Sequence, residues 1–141
     1  MKTWQAPEET PVYLFLGFLE SGKTKFIQET LEDKRFDSGE NTLLIVAEEG
    51  EEEYDPSRFR VKGVAVEVLE GKGELTQENL TALQEKHRAE RVLVEYNGMW
   101  MLDDFYEAMP EGWMLSQVMT FFDSSTFLSY NANMRQLTYD K

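Results

Sequence analysis

Residues 17 to 24 read Gly-Phe-Leu-Glu-Ser-Gly-Lys-Thr, a G-x-x-x-x-G-K-[ST] pattern. It lies between an apolar run, Val12-Tyr-Leu-Phe-Leu16, and a segment of helical periodicity. Few local patterns constrain a fold so tightly. Successive backbone N–H groups of a tight loop converge on an oxyanion, and the start of the next helix adds its dipole. That geometry needs a strand to deliver the chain and a helix to carry it away. Gly17 and Gly22 permit the sharp turns and the close approach. Gly17, Glu20, Ser21, Gly22, Lys23, Thr24 and Lys25 are therefore the expected phosphate-binding positions. Lys23 reaches the outer phosphates as a catalytic group, and the Thr24 hydroxyl is placed to ligate Mg²⁺.

The remaining pattern is an alternation. Apolar strand-like runs at 12–16, 42–47, 64–69, 91–95 and 118–122 are separated by helical stripes. Phe26, Ile27, Thr30 and Leu31 fall on one face of a helix expected over about 23–36. Leu80, Leu83 and His87 do the same over 76–87, and Met101, Leu102, Phe105, Tyr106 and Met109 form a third stripe. Residues 124–138 read as a further helix. Strands alternating with helices imply βαβ units, hence an α/β fold of three layers around a mostly parallel central sheet. Residues 1–11, polar with two prolines, are a lead-in; residues 12–141 are the domain.

Ligands of such sheets sit at the carboxyl ends of the strands. Three features fall there: the glycine-rich loop, Glu48 and Glu95. Glu95 is placed to hold Mg²⁺ or to orient an attacking water, as a catalytic and metal-binding group. Gly98, three residues on, lets a backbone N–H approach a phosphate. Glu48 is the first residue of the acidic stretch Glu48-Glu-Gly-Glu-Glu-Glu53 and the member nearest the strand, so it is the second candidate metal ligand. The other carboxylates of that stretch read as a solvated loop. His87, the single histidine, reads as a helix-end residue.

Composition narrows the partners. The 141 residues carry a formal net charge of −13. A phosphate backbone is gripped by Lys and Arg, so this balance argues against nucleic acid and against anionic membrane surfaces. A phosphate loop works through backbone dipoles and one lysine, so bound nucleotide is compatible with it. There is no cysteine, which excludes disulfides and thiolate metal sites within the chain. No apolar stretch is long enough to span a membrane and no apolar leader opens the sequence, so a cytoplasmic protein is expected. Met99-Trp-Met-Leu102 and Trp113-Met-Leu115 are rich in large apolar groups. They read either as core or, across 99–115, as a surface for a protein partner or a second copy.

Taken together these residues resemble the metallochaperone group of P-loop GTPases, in particular its CobW-like branch. The resemblance runs from about Val12 to Phe127. Its first motif is similar to Gly17–Thr24, with Glu20 where the family has Gly. Its Asn-Glu-Phe-Gly-Glu motif with a later Asp lines up with Ala47–Glu51 and Asp55: Glu48, Gly50, Glu51 and Asp55 match, Ala47 and Glu49 do not. Its Glu-x-x-Gly matches Glu95-Tyr-Asn-Gly98, and its Val-Asp-Ala resembles Phe122-Asp123-Ser124. The resemblance implies a P-loop NTPase fold and Mg²⁺-dependent binding and hydrolysis of GTP, ATP not being excluded. Glu48 and Glu95 would then belong to the two nucleotide-sensing segments. The family's Gly-Cys-x-Cys-Cys metal motif corresponds to Gly71–Leu75, which has no thiol. Its guanine-reading Asn-Lys-x-Asp would lie past Lys141, so the expected unit is the N-terminal part of a longer GTPase domain. Two other functions share the loop. One is a non-catalytic nucleotide-binding module acting through a partner. The other is an ATP-dependent kinase, for which only Arg58 and Arg60 stand in a plausible lid.

Overall fold

The computed structural model describes residues 4–17, 22–47, 54–123, 126–131 and 136–140. Glu20, Ser21 and Glu48 lie outside these residues. In chain order the elements are β1 (Thr10–Gly17), α1 (Lys23–Leu31), β2 (Thr42–Val46), β3 (Val64–Val68), α2 (Gln77–His87), β4 (Arg91–Glu95), α3 (Leu102–Ala108), β5 (Trp113–Asp123), β6 (Thr126–Asn131) and β7 (Gln136–Asp140). Among the described residues they form one seven-stranded sheet in the order β3-β2-β4-β1-β5-β6-β7. The first five strands in space are parallel; β6 pairs with β5, and β7 with β6, antiparallel. The chain is thus α/β with a mostly parallel sheet.

Alternation along the strands builds the three layers. Val12 and Leu14, Leu43 and Ile45, and Val92 and Val94 face a core shared with Leu80 of α2 and Phe105 and Ala108 of α3. The intervening Phe15, Leu44, Val46 and Leu93 face the opposite core with Ile27 and Leu31 of α1. β2 and β4 are buried at every residue, which is why they read as unbroken apolar runs. Each such side chain contributes roughly 1.5–3 kcal/mol when fully buried.

Several boundaries differ from the sequence reading, beginning with β1, which starts at Thr10, inside the expected lead-in. The first helix stops at Leu31, and Lys34–Phe36 is a separate turn of 3₁₀-helix. The Asp33 carboxylate accepts the Arg35 N–H at 2.9 Å, which offers the backbone an alternative to continued helix. The fifth strand starts at Trp113, five residues before the apolar run that marked it in the sequence. The helix expected over 124–138 is not there: its described residues are β6 and β7. Thr126, Phe127, Tyr130, Thr138 and Tyr139 are β-branched or aromatic, and the pairing of β6 with β5 and of β7 with β6 decides the matter over any local helical spacing.

Candidate functional site

The carboxyl ends of β1, β2 and β4 meet at one place. Glu95 is in register with Phe15 on one side and Val46 on the other. The ladder continues past the strands: the Tyr96 N–H donates to the Phe15 carbonyl at 3.0 Å and the Ala47 N–H to the Glu95 carbonyl at 2.8 Å. Asn97 Nδ2 donates to the Ala47 carbonyl at 3.2 Å. Gly17 leaves β1 with φ 140° and Gly22 enters α1 with φ 98°, both in the region that a side chain disfavours. The two fixed glycines of the motif therefore stand where the backbone requires glycine. Gly22 is the N-cap of α1 and makes no side-chain capping bond.

Lys23 is the first residue of that helix and is only 3% exposed. Its Nζ donates to the Gly17 carbonyl at 2.6 Å and to the Tyr96 carbonyl at 3.1 Å, so it bridges the ends of β1 and β4. Thr24 follows, and its hydroxyl donates to Glu95 Oε2 at 2.6 Å. Glu95 is also 3% exposed, and its other oxygen accepts from the Tyr54 hydroxyl at 2.9 Å. A buried carboxylate needs such donors, because desolvating the charge alone costs several kcal/mol or more. Lys25, on the same turn of α1, is exposed.

Beside this cluster is a pocket of about 220 Å³ lined by Gly17, Tyr96, Asn97, Gly98 and Trp100 among others. Gly98 thus shares a concavity with Gly17. Tyr96 forms the floor: it is buried, packs edge-on to Trp100 with ring centres 5.9 Å apart, and donates its hydroxyl to the Met101 carbonyl at 2.6 Å. Burial first, and then the Asp104 carboxylate, push the Tyr96 hydroxyl up to about 12, so it is a fixed donor and not an acid.

The structure brings Gly17, Gly22, Lys23, Thr24, Glu95 and Gly98 together from two separate parts of the sequence. The donor set also fits the cation that the loop implies. A hydroxyl has one proton and two lone pairs, so Thr24 can donate to Glu95 and still offer oxygen to a metal. Hydroxyl and carboxylate oxygens are the donors Mg²⁺ takes. Among the described residues no group of three or more His, Asp or Glu side chains could hold a metal by itself. A divalent ion here would depend on phosphate oxygens as well.

The sequence model of one family, the CobW/HypB/UreG nucleotide-binding domain, matches residues 11–137. The chain belongs to this family. No curated protein and no solved structure matches it. Membership makes the chain a nucleotide-binding domain of the P-loop type, and the Lys23–Thr24–Glu95 cluster is where its CobW-type fold converges. No helix among the described residues is long and apolar enough to cross a membrane. The cluster around Glu95 also contains a residue that sequence reasoning passed over. Tyr54 lies at the end of the acidic stretch, and nothing in that stretch's periodicity marks it. The apolar 99–115 region divides: Trp113 is buried and Trp100 partly so, whereas Met99 is 85% and Met101 64% exposed.

Proposed function

We propose that this domain binds and hydrolyses a nucleoside triphosphate, GTP in preference to ATP, with Mg²⁺, in the manner of a CobW-like metallochaperone or cofactor-insertion GTPase. Residues 12–141 are its nucleotide-binding unit, in a cytoplasmic setting. The observation that carries the reading is the placement of Lys23 and Thr24 on adjacent positions of α1, one bridging the strand ends and the other bonded to Glu95.

Lys23 exchanges backbone carbonyls for phosphate oxygens, where its charge offsets that of the transferred group. Glu20, Ser21, Gly22 and Lys25 complete the phosphate cradle in this reading. Bound Mg²⁺ would supply charge neutralisation for the reacting phosphoryl group. Thr24, Glu95 and Glu48 would hold the ion, and Glu95 is the group placed to orient an attacking water. Gly98 lines the pocket it shares with Gly17 and would border the phosphates in this reading.

The test is a titration with GDP, GTPγS and ATPγS, each with Mg²⁺ and with EDTA, against Lys23→Ala. Guanine-selective binding that Mg²⁺ strengthens and the substitution abolishes is the expected result. A folded parent that binds none of the three sinks the reading.

One observation supports a second role beside it. Met99 and Met101 are exposed on the segment that leads from Glu95 to α3. A protein partner or a second copy docking there would touch the chain a few residues from the catalytic carboxylate. If hydrolysis is absent while binding is retained, the domain is a nucleotide-dependent interaction module, and this face is its output.

A further inference from the structure

Tyr54 belongs to none of the motifs above, yet its hydroxyl holds Glu95 Oε1 at 2.9 Å while Thr24 holds Oε2 at 2.6 Å. The terminal torsion of a glutamate is broad when free. A donor on each oxygen fixes it. The Tyr54 ring is itself fixed, packed against the cluster that contains Phe15, Ile27, Leu31 and Val46.

The next residue is tied to α1 by both arms of one side chain. Gln28 Nε2 donates to the Asp55 carbonyl at 3.1 Å, and Gln28 Oε1 accepts the Asp55 N–H at 2.9 Å. Further on, the N–H groups of Arg60 and Val61 both donate to the Leu31 carbonyl, at 2.8 and 3.1 Å. The segment from 55 to 61 is strapped along the helix that begins with Lys23 and Thr24. One element therefore presents to Glu95 both of these donors, Thr24 directly and Tyr54 through the strap.

We propose that Tyr54 is a positioning residue for Glu95: its hydroxyl holds the carboxylate in the orientation that Thr24 and a bound divalent cation share, and Gln28 holds Tyr54 in place. This rests on the nucleotide reading above. Thr24 keeps its lone pairs directed at a cation only while its proton is engaged by a carboxylate that faces it. Glu95 is 3% exposed, so water does not readily replace a lost donor. A tyrosine at this position couples the segment after β2 to the catalytic carboxylate, because any movement of 54–61 off α1 withdraws the hydroxyl.

The experiment measures affinity for whichever of GTPγS and ATPγS the parent binds more tightly, with Mg²⁺ and with EDTA, in the parent, Tyr54→Phe and Gln28→Leu. The ratio of the two affinities separates the cation's share from that of the phosphate loop. In Tyr54→Phe the Mg²⁺ enhancement falls about tenfold, as expected for one hydrogen bond to a charged group, and the affinity in EDTA is unchanged. Gln28→Leu moves the ratio in the same direction by a smaller factor. A merely structural role would lower both affinities together with the melting temperature and leave the ratio alone, and that result overturns the proposal. A parent that binds no nucleotide in either condition overturns the nucleotide reading and this inference with it. An unchanged ratio in Tyr54→Phe on a parent that binds overturns the positioning role alone.

Discussion

Two buried polar clusters occupy opposite ends of the same strands, and they are built from different chemistry. At the amino-terminal edge, Gln84 of α2 donates to the Thr10 hydroxyl and to the Ala89 carbonyl, both at 3.0 Å, and accepts the Trp113 indole N–H at 2.7 Å. Every member is buried and neutral. At the carboxyl edge, the cluster is Lys23, Thr24, Tyr54 and Glu95, and its lysine and glutamate are both nearly inaccessible. Neutral groups that satisfy one another inside a fold lock it at modest cost. Buried charges are a poor way to gain stability, since apolar residues of similar volume do as well or better. The first cluster ties β1, β5 and α2 together. The second ties α1 to the carboxyl ends of β1 and β4. The amino edge does bury one charge, Arg91, but it is spread over the Thr42 hydroxyl at 2.6 Å, the Phe36 carbonyl at 2.9 Å and the Phe36 ring at 4.1 Å.

The contrast is open to direct attack. Lys23→Ala should have the largest effect on binding, a loss of about a hundredfold or more in nucleotide affinity, with the unfolding midpoint little changed. Calorimetric titration and a denaturant curve on the same sample decide it; retained affinity would take Lys23 out of the site. Glu95→Ala should keep nucleotide binding in EDTA and reduce hydrolysis by about a hundredfold. Parental turnover in single-turnover assays would remove Glu95 from the mechanism. Gln84→Leu should do the reverse of both. It strands the indole N–H of Trp113 and one donor to Thr10, a destabilisation of about 2–4 kcal/mol, while the folded fraction binds nucleotide as the parent does. If affinity falls with stability, the two clusters are one network and the comparison fails.

The smallest effect concerns the end of α2. The His87 ring nitrogen lies 2.5 Å from Glu67 Oε2 and Lys86 Nζ lies 3.1 Å from it. The hydrogen bond from His87 first, and then Lys86, hold the Glu67 carboxyl below its ordinary value against the opposing effect of burial. A depressed carboxyl contributes stability above its unfolded value, near 4.3, and loses that contribution as pH falls through the folded one. Glu67→Gln should therefore melt slightly below the parent at pH 7, by the equivalent of less than about 1 kcal/mol. The two curves should draw together as pH falls below the unfolded carboxyl value and through the lower folded one. A gap that persists at low pH would mean that packing, not charge, sets the difference.

How much of this was legible depended on how local the signal was. β4 was read to the residue because a strand covered on both faces is a continuous apolar run, and Glu95 is its last member. The glycine loop was legible because the backbone conformations it needs exclude most residues, and both glycines have positive φ. Tyr54 was hidden because its role depends on Gln28, far back in the chain, and on Glu95, farther on. Gln84 was hidden for the converse reason. On a helix it looks like a solvent-facing residue between Leu80 and His87, and only Trp113 and Thr10 reveal that it faces inward. In β6 and β7 aromatic and β-branched residues carried the strand signal, but the pairing that uses it lies outside any local window. Glu20, Ser21 and Glu48 lie outside the described residues, so their part rests on the motif.

The tryptophans divide along the same line as the clusters. Trp113 is buried at the amino edge with its indole N–H engaged by Gln84, while Trp100 borders the pocket that Gly17 and Gly98 share. The protein thus carries two optical probes, one at each end of its sheet. Emission from Trp113 follows the integrity of the fold, and quenching or shift at Trp100 follows what enters beside the phosphate loop. With Trp4 and Trp100 replaced by phenylalanine the chain reports unfolding alone, and with Trp4 and Trp113 replaced it reports events at the pocket alone.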